Sequence, residues 1–277
     1  MNSSFYVSDQ GGFVSSELTR GPWDPDAQHA GPPAALIARE LERCPSPLDT
    51  DGEAPTRWQF GRVTLEILRP VPIARLTVNA EVVRPGRTVE LLSAALSDEE
   101  GEVIRASAWR IAPVGVELPG DTAGGPTAGS RSNRAGPKQA REEEFFPTGQ
   151  RLGYHSAMEY RFVSGRFLDP GPATVWMRPR VSLIAGEEPS PLQRVLVAAD
   201  SGNGVSAALD WSRYLFINVD LSVHLHRMPV SDWVCLDAVT IPEPTGTGTA
   251  DTALHDERGP IGRALQTLVV REREDAR

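Results

Sequence analysis

Apolar residues recur at helical spacing in two stretches of this chain, PPAALIARELERC at 32–44 and PLQRVLVAAD at 191–200. Each opens with proline, whose missing N–H would go unpaired in a first helical turn anyway. Elsewhere the period falls to two. Strand-like runs follow the first helix at Val63–Leu68, Leu76–Val83, Val89–Leu96 and 103–111, with SDEEG as the turn before the last. Tyr160–Ser164 and Ala173–Arg178 precede the second helix, and runs near Tyr214–Arg227, Trp233–Ile241, Gly248–Leu254 and Ile261–Val270 follow it. One helix followed by a long antiparallel sheet, made twice, predicts an α+β fold in which a sheet wraps a helix.

The two halves also share words. VTLEILRPVP (63–72) matches LSVHLHRMPV (221–230), and LSDEEGEVIRASAWRI (96–111) matches LHDERGPIGRALQTLV (254–269). Arg227 follows Arg69, and Arg263 follows Arg105, by the same ungapped interval, which argues for duplication. Between the halves, 113–143 is mostly Gly, Pro, Ser, Thr, Ala and charge, and reads as a linker. The expected division is a first unit at 1–112, a flexible linker at 113–143 and a second unit at 144–277.

Composition narrows the chemistry. With 40% hydrophobic and 23% charged residues the chain is an ordinary globular one, and its longest apolar runs are far too short to span a bilayer. No secretory signal is visible in MNSSFYVSDQGGF, and Cys44 and Cys235 form no paired motif, so a cytoplasmic protein with two reduced thiols is expected. A net charge of −9 argues against a nucleic-acid partner. Lys138 is the one lysine, which disfavours Schiff-base and P-loop chemistry. No GxSxG or HExxH is present. His224 and His226 share a strand face without a third ligand nearby, so no metal or other cofactor is expected.

Five stretches in order, GPWDPDAQHAGPPAAL (21–36), LEILRPVP (65–72), AADSGNGVS (198–206), FINVDLSVHLHRMPVSDWVCLDA (216–238) and HDERGPIGRALQTLVVRER (255–273), resemble the double-hotdog acyl-CoA thioesterases of the TesB-like family, in their actinobacterial branch. The resemblance implies two fused hotdog halves, with catalysis in the C-terminal one. It carries over Asp200 on the second helix, Gln266 in the last strand, and Asn218 where other members have threonine. In the family these positions hold and polarise one water beside the thioester carbonyl.

The residue chemistry agrees with that role. Asp200 closes an apolar helix, where an ionised carboxylate needs donors, and the amides of Asn218 and Gln266 are suitable ones. The repeat places Phe60 opposite Asn218 and Ala108 opposite Gln266, so the amides exist in one copy alone. As a plain helix-terminal turn residue, Asp200 would instead face solvent. His29 and Gly31 precede the first helix, whose unpaired N–H groups suit an oxyanion, with Gly31 allowing close approach of the ligand. His29 could alternatively pack on the following proline. Arg69 and Arg227 end strands and could meet coenzyme A phosphates or pair with acidic neighbours.

The expected reaction is hydrolysis of a fatty acyl thioester, carried on coenzyme A or acyl carrier protein, in a homo-oligomer with no nucleic-acid or membrane partner. The rivals are a hotdog hydratase or dehydratase, and a non-catalytic acyl-CoA binding module.

Overall fold

The computed structural model describes residues 3–48, 58–119, 135–145 and 148–273. A hairpin of β1 (Ser4–Asp9) and β2 (Gly12–Ser15) comes first, followed by α1 (Gly31–Arg43). Then come β3 (Gln59–Ile67), β4 (Arg75–Arg84), β5 (Val89–Asp98) and β6 (Gly101–Ile111). The short β7 (Arg141–Glu142) and one-turn α2 (Tyr154–Ala157) lead into β8 (Met158–Arg166), β9 (Asp169–Pro179), β10 (Ser182–Ile184) and α3 (Pro191–Ala199). After the single turn α4 (Gly202–Val205) run β11 (Tyr214–Asn218), β12 (Asp220–Leu225), β13 (Val234–Pro242), β14 (Thr247–Asp256) and β15 (Gly259–Glu272).

Among the described residues the strands form one sheet. Its order, β1-β2-β4-β5-β6-β3 and then β12-β15-β14-β13-β9-β8, reads the same plan outward from the middle in both directions. The halves join where β3 and β12 pair antiparallel, with Thr64 directly opposite Ser222. Their hydroxyls lie 3.1 Å apart and their positions differ by 158, the interval of the sequence repeat. The pseudo-two-fold axis therefore passes between these two residues. The second half also seals the first half's edge, because β10 pairs parallel to β1.

Both helices lie against the sheet and against each other. The first nine residues of α1 are all buried, more than one sheet could cover, because α3 packs along its other side. The head of α1 meets the tail of α3: a Cβ on Gly31 would come within 2.3 Å of the Val197 carbonyl oxygen. At the other end, Arg39 makes a two-pronged pair with Glu187 at 2.7 and 2.6 Å.

The expected post-helix strands are present, with one refinement. The single run near Tyr214–Arg227 is interrupted at Val219 into β11 and β12, both of which pair with β15. Sequence reasoning did not identify the β1–β2 hairpin, although Gln10 and Gly11 at φ 42° and 78° make a two-residue turn of the primed kind. Within the expected linker, residues 120–134 lie outside the described residues. Its end is not free chain: β7 pairs with β8, and the Trp176 indole N–H donates to the Ala135 carbonyl at 2.9 Å.

Candidate active site

Asp200 terminates α3 and is 4% exposed. The amide of Asn218, from the end of β11, donates to Oδ1 at 2.8 Å. Gln266, reaching over from β15, donates to the same residue's backbone oxygen at 3.0 Å and to Oδ1 at 3.3 Å. A carboxylate at a helix C-terminus faces the unfavourable dipole end. Here the N-terminus of α1 offsets it, since the N–H groups of Ala30 and Gly31 are directed at the carboxylate. Burial outweighs all of these donors and pushes the Asp200 carboxyl up to about 7. That value suits a group that must both lose and gain a proton near neutrality.

The structure supplies a partner that sequence spacing did not reveal. His29, from the first half, places Nδ1 3.1 Å from Asp200 Oδ2. Its ring stacks on Tyr154, with centroids 3.7 Å apart and planes within 9°. Tyr154 is fixed by its hydroxyl, which donates to the Val197 carbonyl at 2.7 Å and lies 3.0 Å from the Ser201 hydroxyl. Burial takes the His29 imidazole down to about 3, so it is neutral. The Gly31 N–H donates to Nδ1 at 3.1 Å, which puts the imidazole proton on Nε2. Among the described residues Nε2 has no partner.

Three expected roles change. Gly31 does not admit a ligand: its missing side chain lets α3 approach, and its N–H serves His29 and Asp200. Gln266 is 2% exposed, its Oε1 accepts from the Asn203 N–H at 3.1 Å, and its amide holds Asp200. It therefore fixes the acid and does not line the cavity. Arg227 is absent from the cavity wall, being bound to Asp256 at 2.6 and 2.5 Å and to the carbonyls of Gly259 and Pro260. Arg69 does reach the wall, although it too is paired, with Asp98.

The cavity measures about 450 Å³, and Asp24, Arg69 and Arg273 contribute charged groups to its lining. Ile67, Val71, Leu215 and Ile217 give it apolar sides, and Asp200, Asn218 and His29 face it. Asn203 and Trp23 also line it and were not singled out from the sequence; Asn203 stood inside the quoted AADSGNGVS, where its neighbours drew the attention. Gly202 is needed beside it, as a Cβ there would lie 2.9 Å from Gln266 Oε1 and 2.5 Å from the Thr252 hydroxyl. No group of three or more His, Cys, Asp or Glu placed to hold a metal occurs among the described residues. No helix among them is long and apolar enough to cross a membrane.

Comparison with known proteins matches residues 19–111 to the acyl-CoA thioesterase N-terminal domain and residues 136–270 to the acyl-CoA thioesterase C-terminal domain. No curated protein matches the chain. Among solved structures, a candidate thioesterase II from Thermobifida fusca is similar at TM-score 0.70 and 16% identity, covering 96% of this chain and 95% of that one. A hot dog fold protein of Alicyclobacillus acidocaldarius gives TM-score 0.69 at 14% identity, over 97% and 95% of the two chains. A TesB protein of Mycobacterium avium subspecies paratuberculosis gives 0.62 at 14%, over 95% and 94%. The architecture is a double hotdog.

Proposed function

Since this chain belongs to the acyl-CoA thioesterase family, a family of thioester hydrolases, we propose that Asp200 activates the water that cleaves an acyl-CoA thioester. The observation that carries this reading is a buried carboxylate with a raised pKa, fixed by amide donors at the wall of an apolar cavity. Asn218 uses its N–H on Asp200 and the Asp220 carbonyl, which leaves Oδ1 toward the cavity to accept the water's second hydrogen. Oδ2 takes the water proton as the oxygen attacks the carbonyl carbon. Once protonated, Oδ2 donates to His29 Nδ1, 3.1 Å away. The Nε2–H of the same ring is the donor for the developing oxyanion. Collapse of the tetrahedral intermediate expels the thiolate, which takes the proton back from Asp200 Oδ2 and leaves as coenzyme A, restoring the carboxylate. Gln266 holds the acid in place throughout.

Asp200 is the better base of the pair. A group with its pKa near 7 is poised for proton transfer at neutrality, whereas an imidazole held near 3 is a poor acceptor. Arg273, with no acidic partner among the described residues, lines the cavity as Arg69 does and suits the phosphates of a coenzyme A carrier.

Thiol release from acyl-CoA substrates tests the assignment. Asp200→Asn is expected to lower kcat by ~10²-fold or more. In the wild type, kcat should rise with pH and reach half its plateau near pH 7, because the ionised carboxylate is the active form. Wild-type turnover by the variant removes Asp200 from the chemistry. One observation favours a second reading, namely that His29 acquires an acidic partner from the other half, as a hydratase would need. Loss of enoyl absorbance without thiol release would select that alternative.

A further inference from the structure

Beside His29 a second, much narrower slot adjoins the cavity. The two spaces share Trp23, His29 and Asn203 as walls. Tyr154, Trp211, Phe145, Tyr160 and Phe167 complete the aromatic lining of the slot. These last rings pack on one another, with centroids 4.5 Å apart for Phe145–Phe167 and 5.0 Å for Tyr160–Phe167. Phe162 backs Phe167 at 4.9 Å. About 30 Å³ remains open, room for two or so water-sized groups and not for a long alkyl tail. Arg69 and Arg273 line the wide cavity and not the slot, which assigns the thiol arm to the cavity and leaves the slot to the acyl group.

The lining of the slot is not wholly apolar. Tyr160 is 2% exposed, and its hydroxyl has no hydrogen-bond partner among the described residues. The other deeply buried tyrosines near the site are satisfied: Tyr6 donates to Gln28 at 2.7 Å and Tyr154 to the Val197 carbonyl at 2.7 Å. A buried hydroxyl without a partner destabilises the fold, whereas phenylalanine would fill the same space without that cost. Burial also keeps the phenol protonated, so it remains a donor. A buried, unpartnered donor on a residue that lines a narrow slot matches a ligand that brings an acceptor with it.

We propose that the acyl group accepted here is short and carries an oxygen beyond the reacting carbonyl, and that the Tyr160 hydroxyl is its specificity determinant. This rests on the hydrolase reading above and adds the substrate class to it.

The test compares kcat/KM, by thiol release, for butyryl-CoA, 3-hydroxybutyryl-CoA and palmitoyl-CoA. In the wild-type protein the hydroxylated substrate is expected to exceed butyryl-CoA by about tenfold or more, with palmitoyl-CoA slowest. In Tyr160→Phe the ratio of the two short substrates should fall to near one, and thermal melting should show the variant folded. The wild-type ratio stands as evidence without the variant. Equal rates for the two short substrates, a preference for palmitoyl-CoA, or a ratio unchanged in Tyr160→Phe overturns the inference and leaves hydrolysis intact. No thiol release from any of the three overturns the hydrolase reading and this inference together.

Discussion

Glu42 ends α1 as Asp200 ends α3, 158 positions apart, and each carboxyl meets the N-terminus of the opposite helix. Asp200 faces the N–H groups of Ala30 and Gly31, while Glu42 accepts from the Ser190 hydroxyl and the Gln193 amide, both at 2.8 Å. Burial raises the pKa of both acids. The sheet distinguishes them, presenting Asn218 and Gln266 to Asp200, where Phe60 and Ala108 stand at the mate positions. Glu187 takes the place of His29 and is tied to Arg39. One side has a continuous cavity of about 450 Å³. Its mate is two separate depressions, about 220 Å³ beside Glu42 and Phe60 and about 210 Å³ beside Glu187. An acid at a helix end, buried at Asp200 and part-buried at Glu42, is therefore a common product of this duplicated fold. Sheet amides, an aromatic-backed imidazole and one continuous cavity distinguish the side proposed to carry the chemistry.

The sharpest way to break this comparison is to alter the two crevices in parallel. Asn218→Ala is expected to lower kcat by ~10²-fold, the usual cost of removing one donor at a reacting centre. It should also move the pH midpoint of kcat upward, because the lost hydrogen bond had favoured the ionised Asp200. Glu42→Gln, on the mate side, should leave thioester turnover at the wild-type level. Comparable losses in both variants would mean that both crevices work.

A smaller effect separates the two arginines. Arg227→Ala strands the buried Asp256 and is expected to cost about 2 kcal/mol in denaturant unfolding, reduced from the fully buried case because Arg227 is 31% exposed. KM should not change. Arg69→Ala should instead raise KM for acyl-CoA, since Arg69 lines the cavity. A KM effect from Arg227 would contradict the assignment of roles.

The last effect, a slope and not a single loss, concerns pH and stability. In the folded state Asp200 is raised to about 7 and His29 lowered to about 3. Between about pH 4 and 6.5 the folded pair holds one proton, on Asp200, and the unfolded pair also holds one, on histidine. Equal proton counts give this pair no slope of stability with pH. Asp200→Asn removes the compensating proton. Stability of that variant should then fall, relative to wild type, by about 1.4 kcal/mol per unit as pH drops below 6.5, because only the unfolded state protonates its histidine. Parallel curves for the two proteins would dissolve the pair.

Much of this was legible in the chain. The alternation that predicts β3 to β6 and the later strands is imposed by one buried sheet face, and the repeat interval reappears as the Thr64–Ser222 contact on the pseudo-two-fold axis. Asp200, Asn218 and Gln266 could be named from the family words and from the apolar residues opposite the two amides. Their division of labour could not be read. Gln266 and Asn218 are both carboxamides, and only the fold shows one locked behind the acid and the other facing the cavity. Gly31 looked like a concession to a ligand and is a concession to α3. The β1–β2 hairpin could have been anticipated, because the second copy already showed two strands ahead of its helix.

The sequence by itself determined the elements, their order and their doubling, since backbone period and side-chain pattern are set by neighbours a few residues away. Only the tertiary structure decided that His29 of the first half meets Asp200 of the second. That contact depends on two helices packing head to tail across a joined sheet, a relation that no local spacing encodes.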